Sequence, residues 1–307
     1  MVSKFKFIYS PRYNVDLGTH VFPTIKYNLI KNLLIRQLRL RAEDFILPSP
    51  APEETVLLVH TRQYFQKVKE NRLSMEELLR LEIPMNKQIL RASLICVEGS
   101  YLASRYAIED GLGMHIGGGF HHAFPDHGEG FCVFNDMAIA IRKLQKEKLI
   151  RKALVIDCDL HQGNGTAFIF RGDSSVFTFS VHQENNYPFH KPPSSMDIGL
   201  EDGTGDERYL KFLRHHIPVI LKNFKPDFIM YQAGADPYEK DQLGGLKLTQ
   251  EGLKERDRIV FSLAQENRIP VAVTLGGGYA FDIQDTVEIH CHTIMEGIRV
   301  IVKPRRT

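Results

Sequence analysis

A chain of 307 residues that is 43% apolar and 25% charged can bury a large core without help from disulfides or a structural metal. Its net charge, 39 − 37 = +2, exerts no general pull toward nucleic acid, so no direct nucleic-acid partner is expected. No stretch approaches the run of about 18 apolar residues that a membrane span needs. Cys96, Cys132, Cys158 and Cys291 are far apart and form no Cys-x-x-Cys pair, which fits reduced thiols. The start, Met-Val-Ser-Lys-Phe-Lys-Phe, lacks the apolar run of a signal peptide, and a cytoplasmic location is expected. The basic tail Lys303-Pro-Arg-Arg-Thr307 reads as a solvated terminus.

In chain order, Phe5, Phe7 and Tyr9 alternate as an opening strand. Ile25, Leu29, Ile30, Leu33, Leu34 and Leu38 then recur at helical spacing, with Pro23 expected in the first turn. A Pro-rich connection covers 47–54, and Thr61 is placed to cap a helix, with His60 before it read as a packing or hydrogen-bonding histidine. Helices are expected over 75–82 and from about Met85 to Glu109, then a strand from Leu112 to Ile116. That strand runs into Gly117-Gly-Gly-Phe-His-His122, where glycines permit a sharp turn and close approach. The segment His127–Asn135 is loop-like but carries Phe131 and Phe134, which a polar surface loop would not need. A helix follows from about Asn135.

Ala153 to Ile156 forms a short buried strand that leads into Asp157-Cys-Asp-Leu-His161-Gln-Gly-Asn-Gly165. Residues two apart on a strand share a face, which directs Asp157, Asp159 and His161 to one side and Cys158 to the core. The competing structural reading is strand-end capping and turn chemistry. Downstream come a short helix (164–171), a strand from Val176 to Val181 and a long loop (183–206). A helix from Glu207 to Phe224 leads to the strand Phe228–Tyr231, which ends in Gln232-Ala-Gly-Ala-Asp236. A helix from Thr249, a strand from Pro270 to Leu275 ending in Gly276-Gly-Gly-Tyr279, and a final helix from about Asp282 complete the chain. Such alternation predicts one α/β domain over residues 1–307 with a mainly parallel sheet.

Four strand ends therefore carry His121-His122, Asp157/Asp159/His161, Asp236 and Tyr279, and in a parallel sheet all carboxyl ends lie on one edge. Asp159, His161 and Asp236 make a three-ligand metal set with a fourth position free for water. A neutral histidine nearby would take the proton of that water and pass it to a leaving amine. Tyr279 would donate to the oxyanion, so metal-assisted amide hydrolysis is the natural reaction class. The motifs contain no Arg or Lys to hold a phosphate. His290-Cys-His292 also resembles a metal motif, but on a helix residues two apart diverge, and a structural role is expected.

Gly-Gly-Phe-His-His-Ala, Asp-Cys-Asp-Leu-His-Gln-Gly-Asn-Gly, Gln-Ala-Gly-Ala-Asp and Gly-Gly-Gly-Tyr stand here in the order found in zinc-dependent histone deacetylases, and the chain resembles that family from His20-Val-Phe-Pro to Tyr279. His-Gln-Gly-Asn-Gly and Asp241-Gln-Leu-Gly-Gly-Leu246 look most like the class IV branch and its bacterial relatives. The resemblance implies the arginase/deacetylase fold, with about eight strands between helices. It makes Asp159, His161 and Asp236 ligands of one zinc ion, His122 the general base and acid, His121 a second histidine oriented by Asp157, and Tyr279 the carbonyl-polarising hydroxyl. It also implies a structural potassium ion on the side chains of Asp157 and Ser180 and the carbonyls of Asp159, His161 and Val181. Phe131, beside Gly130, and Tyr187 match the walls of an acyl-lysine tunnel, and Leu243 matches its rim.

Three departures refine this. Asn164 stands where many class I members carry Asp behind the general base; an amide stabilises an imidazolium less, so an altered pH profile is expected, and an unchanged profile in Asn164→Asp would contradict it. Gly163 replaces the carboxylate that holds a second manganese in arginase-type relatives, which favours one metal. Leu243 is apolar, so no acidic gatekeeper is seen there, which weakens a polyamine-deacetylase reading. The expected partner is an acyl-lysine protein or peptide, with acetyl or a longer fatty acyl group. A small-molecule amidohydrolase and a non-catalytic acyl-lysine binding module are the alternatives.

Overall fold

The computed structural model describes residues 5–301; the basic tail read as a solvated terminus lies outside them. Among the described residues, strands β1 (Phe7–Ile8), β2 (Phe45–Ile46), β3 (Leu112–His115), β4 (Ala153–Asp157), β5 (Val176–Gln183), β6 (Met196–Leu200), β7 (Phe228–Gln232) and β8 (Val271–Thr274) form one sheet. Its order is β2-β1-β3-β8-β7-β4-β5-β6 and every pairing is parallel. The expected α/β architecture is thus observed, with eight strands. Parallel strands covered by helices on both faces must be apolar on both, and β3, β4, β7 and β8 are buried at every position.

The four strands whose ends carry the chemistry, β3, β8, β7 and β4, are consecutive in the sheet. Their register sets Ser180, Asp157, Gln232 and Thr274 in one row across β5, β4, β7 and β8. Outside the sheet, α5 (Lys87–Asp110) packs on β3 and β8 beside α6 (Asp136–Lys146). On the other side α1 (Lys26–Leu38), α8 (Asp206–Phe224), α9 (Gln250–Asn267) and α10 (Ile283–Ile301) form a contiguous layer. The caps follow local chemistry: the side-chain oxygens of Asn86, Asn135 and Thr249 each accept a first-turn backbone N–H.

Three expectations change. Pro23 is not in the first helical turn: its carbonyl accepts the N–H of Lys26, so it opens the turn that delivers the chain to α1. The stretch 183–206 is not loop throughout, because Met196–Leu200 adds to the sheet edge as β6. Its alternating exposure is that of an edge strand, and its Asp and Gly hid the signal. Strand β4 ends at Asp157, so Asp159 and His161 do not share a face by strand pleat. Instead the Asp157 carboxylate accepts the N–H of Asp159, and the Asp159 carboxylate accepts the N–H of His161. Successive Asx turns thus produce the period of two, and turn chemistry coexists with the cluster rather than replacing it.

Candidate active site

The residues from the four strand ends meet at a cavity of about 250 Å³, lined by His121, His122, Asp159, His161, Phe131 and Tyr279 among others. Asp159, His161 and Asp236 are buried, and one ligand atom from each lies within 4.8 Å of the others. His161 Nδ1 is 3.2 Å from Asp159 Oδ1 and 3.2 Å from Asp236 Oδ2. Asp236 Oδ2 is buried with no hydrogen-bond partner among the described residues. Two carboxylates and an imidazole nitrogen converging around an orphaned carboxylate oxygen suit a divalent cation. Burial lowers the His161 pKa, but hydrogen bonds and charge from Asp159 and Asp236 overcome it and raise it to about 10. Burial and the Asp159 charge push Asp236 up to about 7.

His121 and His122 stack with ring centroids 4.1 Å apart. His121 Nδ1 lies 2.8 Å from Asp157 Oδ2, and His122 Nδ1 lies 2.7 Å from Asn164 Oδ1. Both oxygens are acceptors, so each ring carries a proton on Nδ1 and leaves Nε2 on its far side. For His121 burial is outweighed by Asp157 and Asp159, and its pKa rises to about 9. For His122 burial and the charges of His121 and His161 act together and hold it well below the ordinary value. Two adjacent histidines thus differ: one is cationic, the other neutral and able to accept a proton.

The glycines before these histidines carry the backbone close to the sheet. Gly119 has φ +88°, and a Cβ there would stand 2.1 Å from Gln232 Oε1. Gln232 in turn donates to the Gly119 carbonyl at 2.7 Å. Tyr279 follows the second glycine turn, its N–H donating to Asp241 Oδ2 at 2.7 Å. The other oxygen of Asp241 accepts the N–H of Leu243, so one carboxylate couples Tyr279 to the cavity rim. Burial, with Asp236 and Asp159 nearby, raises the Tyr279 phenol well above its usual range, so it stays a donor. Phe131 lies 6.1 Å from the Tyr279 ring and Tyr187 5.1 Å from that of His122, edge to face in each case; both aromatics, Gly130 and Leu243 line the cavity. Phe134, the other loop aromatic, packs in the core against Phe65.

Of the residues read toward potassium, Asp157 and Ser180 are register partners and Val181 follows on β5; Ser180 Oγ is 2.9 Å from His182 Nδ1. Gly163 sits tightly, since a Cβ there would lie 2.4 Å from Asp157 Oδ2, leaving no space for a larger side chain. Cys158 is core, as expected. His290 is buried with both ring nitrogens unpartnered among the described residues, while Cys291 faces the Ile30 carbonyl. Neither belongs to the group that could hold a metal ion. His60 accepts the N–H of Asn135 at 3.0 Å and packs on Phe134.

Sequence reasoning missed several supports. Lys26, in the first turn of α1, is fully buried, donates to the Gly276 carbonyl at 2.9 Å and faces the Tyr279 ring. Burial lowers its pKa to about 8 against the pull of Asp236, Asp159 and Asp241. Arg256, on α9, is also fully buried and holds the carbonyls of Gly234 and Cys158, which flank the metal-binding turns. Asp136 accepts the N–H groups of Gly119 and Phe120 at 3.0 and 2.7 Å. At helical positions these charged residues look like solvated surface; no local signal distinguishes them.

At the end of the parallel sheet a deeply buried Asp-His-Asp cluster that could hold a metal ion thus meets two histidines, each tied at Nδ1, and a phenol. The histone deacetylase domain model matches residues 20–294, and the chain belongs to that family. It is an enzyme of the deacetylase type, in a family that is zinc-dependent. It is 39% identical over 287 residues to an uncharacterized protein of Picosynechococcus sp., covering 93% of this chain and 96% of that one. It is 30% identical to histone deacetylase 2 of Arabidopsis thaliana, covering 94% of this chain and 79% of the relative. With the acetoin utilization protein AcuC of Bacillus subtilis the identity is 32%, over 90% and 77% of the two chains. The crystal structure of the HDA15 HD domain superposes with a TM-score of 0.78 at 21% identity, covering 97% of this chain and 91% of that one, a likeness of fold. Among the described residues, no helix is long and apolar enough to cross a membrane.

Proposed function

We propose that this protein is a single-zinc deacylase that removes acetyl or longer acyl groups from the side-chain amine of acyl-lysine, of the class IV type and its bacterial relatives. The carrying observation is the three-ligand cluster, its atoms within 4.8 Å of one another, two of whose members, Asp159 and His161, line one cavity with His122 and Tyr279. Carboxylates of Asp159 and Asp236 and Nδ1 of His161 would hold the ion. When bound, it supplies Lewis acidity, lowering the pKa of a water and polarising the substrate carbonyl.

The chain's own groups account for the rest. His122, neutral and with its proton fixed on Nδ1, presents Nε2 to accept the proton of the attacking water. The same nitrogen then protonates the departing lysine amine. His121, held cationic by Asp157 and Asp159, adds positive charge where the oxyanion develops. Tyr279 donates its hydroxyl to the carbonyl oxygen. Phe131, Gly130 and Tyr187 wall the passage for the aliphatic stem, and Leu243 sits at the rim. A potassium ion on Asp157, Ser180 and the carbonyls of Asp159, His161 and Val181 belongs to the same proposal.

A second reading, acylated polyamines, is favoured by one feature: Glu82 is among the residues lining the same cavity, and a carboxylate there would offer a polyamine's free ammonium groups a counter-charge. The test is hydrolysis by zinc-loaded protein across acetyl-lysine peptides, long-chain acyl-lysine peptides and acetylated polyamines. Preference for a peptide acyl group supports the proposal and fixes its chain length. Preference for polyamine moves the substrate to small molecules, and no turnover on any amide refutes both.

A further inference from the structure

The Asn164 amide is gripped from three sides. Its Oδ1 lies 2.7 Å from His122 Nδ1 and accepts the N–H of Gly165 at 3.0 Å, while its Nδ2 donates to Glu129 Oε1 at 2.6 Å. Glu129 lies in the loop between β3 and α6 and also accepts the Tyr187 hydroxyl at 3.1 Å. His127 Nε2 is 3.5 Å from its other oxygen, and His127 Nδ1 is 2.7 Å from Asp126 Oδ1. Burial pulls the Glu129 pKa up, yet hydrogen bonds from His127, Asn164 and Tyr187 outweigh it and hold it below the usual value. The carboxylate is therefore ionised and can only accept.

An amide has two ends, and a half-turn would exchange oxygen for nitrogen. In Asn164 that turn would set its N–H₂ against the N–H of Gly165 and its oxygen against the Glu129 carboxylate. It would also present a donor to His122 Nδ1, moving that ring's proton to Nε2 and removing the lone pair that faces the cavity. A carboxylate behind the histidine would need no such control, because both its ends are acceptors. The arrangement is thus specific to a chain with Asn at this position.

We propose that Glu129 is a positioning residue for the general base: it clamps the Asn164 amide in the one orientation that keeps His122 Nε2 unprotonated. The inference rests on the role assigned to His122 above. Glu129 passes no proton, since an amide lies between, and its effect is on the tautomer and orientation of the imidazole. Through Tyr187 the same carboxylate ties the base to one wall of the cavity.

The experiment is a double-mutant comparison on the zinc-loaded full chain with an acetyl-lysine peptide. Glu129→Ala should lower kcat about tenfold or more with a smaller change in KM. Glu129→Gln, whose amide oxygen can still accept from Asn164, should recover most of that loss. In Asn164→Asp two carboxylates face each other, so adding Glu129→Ala should leave kcat unchanged or raise it. Equal fold losses from Glu129→Ala in both backgrounds, or a Gln variant as poor as Ala, would overturn the clamp. Nitrogen-15 chemical shifts of His122 give a readout without turnover: a single Nδ1–H tautomer in the unaltered chain and a mixture in Glu129→Ala support the clamp, and an unchanged tautomer refutes it. Absence of turnover in every variant would count against the deacylase reading, and the tautomer would still decide the clamp.

Discussion

Replacing Tyr279 by Phe removes one oxygen and leaves the ring. The ring makes edge contacts with Phe22 and Phe131 at 6.2 and 6.1 Å between centroids and lies under the Lys26 ammonium, and all of these survive. The backbone tie to Asp241 is untouched. No protein hydrogen bond fixes the hydroxyl among the described residues, so its deletion orphans nothing. Stability should therefore change by less than about 0.5 kcal/mol. If the hydroxyl meets the carbonyl oxygen only as charge develops on it, its loss should cost about 2.7–4 kcal/mol of barrier, or about 10²–10³ in kcat, with KM nearly constant. Steady-state hydrolysis of an acetyl-lysine peptide, with zinc content and urea midpoint measured on the same sample, checks this. A kcat within about threefold of the unaltered enzyme would refute the assignment, because no donor aligned with the transition state is worth so little.

Arg256→Met should cost about 3–5 kcal/mol of stability, read as a lowered urea midpoint, since it strips the cation from the fully buried Asp257, which keeps only the neutral hydroxyls of Tyr231 and Thr293, and releases the Gly234 and Cys158 carbonyls. Gly163→Ala places a Cβ 2.4 Å from Asp157 Oδ2, the oxygen that orients His121, and should reduce kcat about tenfold in protein that still binds zinc; an unchanged kcat would show that the pair has slack. Stability should also fall on mild acidification. Burial lowers the pKa of His60 from 6.5 to about 4, so below pH 6.5 the unfolded chain takes up a proton that the folded chain refuses, and stability is lost as pH falls toward 4. By pH 5 this site alone should have removed about 2 kcal/mol, and His115, pushed down to about 3, acts in the same window. Urea midpoints at pH 7 and pH 5 should differ less in His60→Gln; an equal difference in both proteins would remove His60 from the account.

What the sequence made legible was chemistry at strand ends. Asp159, His161 and Asp236 could be grouped before any geometry, because in a parallel sheet the ends of β4 and β7 share an edge, and the structure brings them within ligand reach. Strand pleat accounts for none of the Asp157-Asp159-His161 spacing beyond Asp157, and Asx turns supply the period. The edge strands were the hardest elements to see. β2 is only two residues long, and β6 mixes Asp and Gly into five residues with one face open to solvent. Buried charge was not legible at all. Lys26 and Arg256 occupy helical positions where a cation normally points to water, and only tertiary packing sets one against the Tyr279 ring and the other against the Gly234 carbonyl in the turn before Asp236. Glu129 was invisible for a related reason: its partners, Asn164 and Tyr187, are 35 and 58 residues away in the chain.

The central claim is that one zinc ion on Asp159, His161 and Asp236 drives amide cleavage. Protein stripped by a chelator and titrated with zinc, with bound metal and acetate release from an acetyl-lysine peptide followed together, tests it most directly. The account predicts turnover that rises with zinc and saturates at about one ion per chain, with Asp236→Asn neither binding tightly nor turning over. Saturation at two ions per chain, or full zinc occupancy with no amide cleaved, would contradict it.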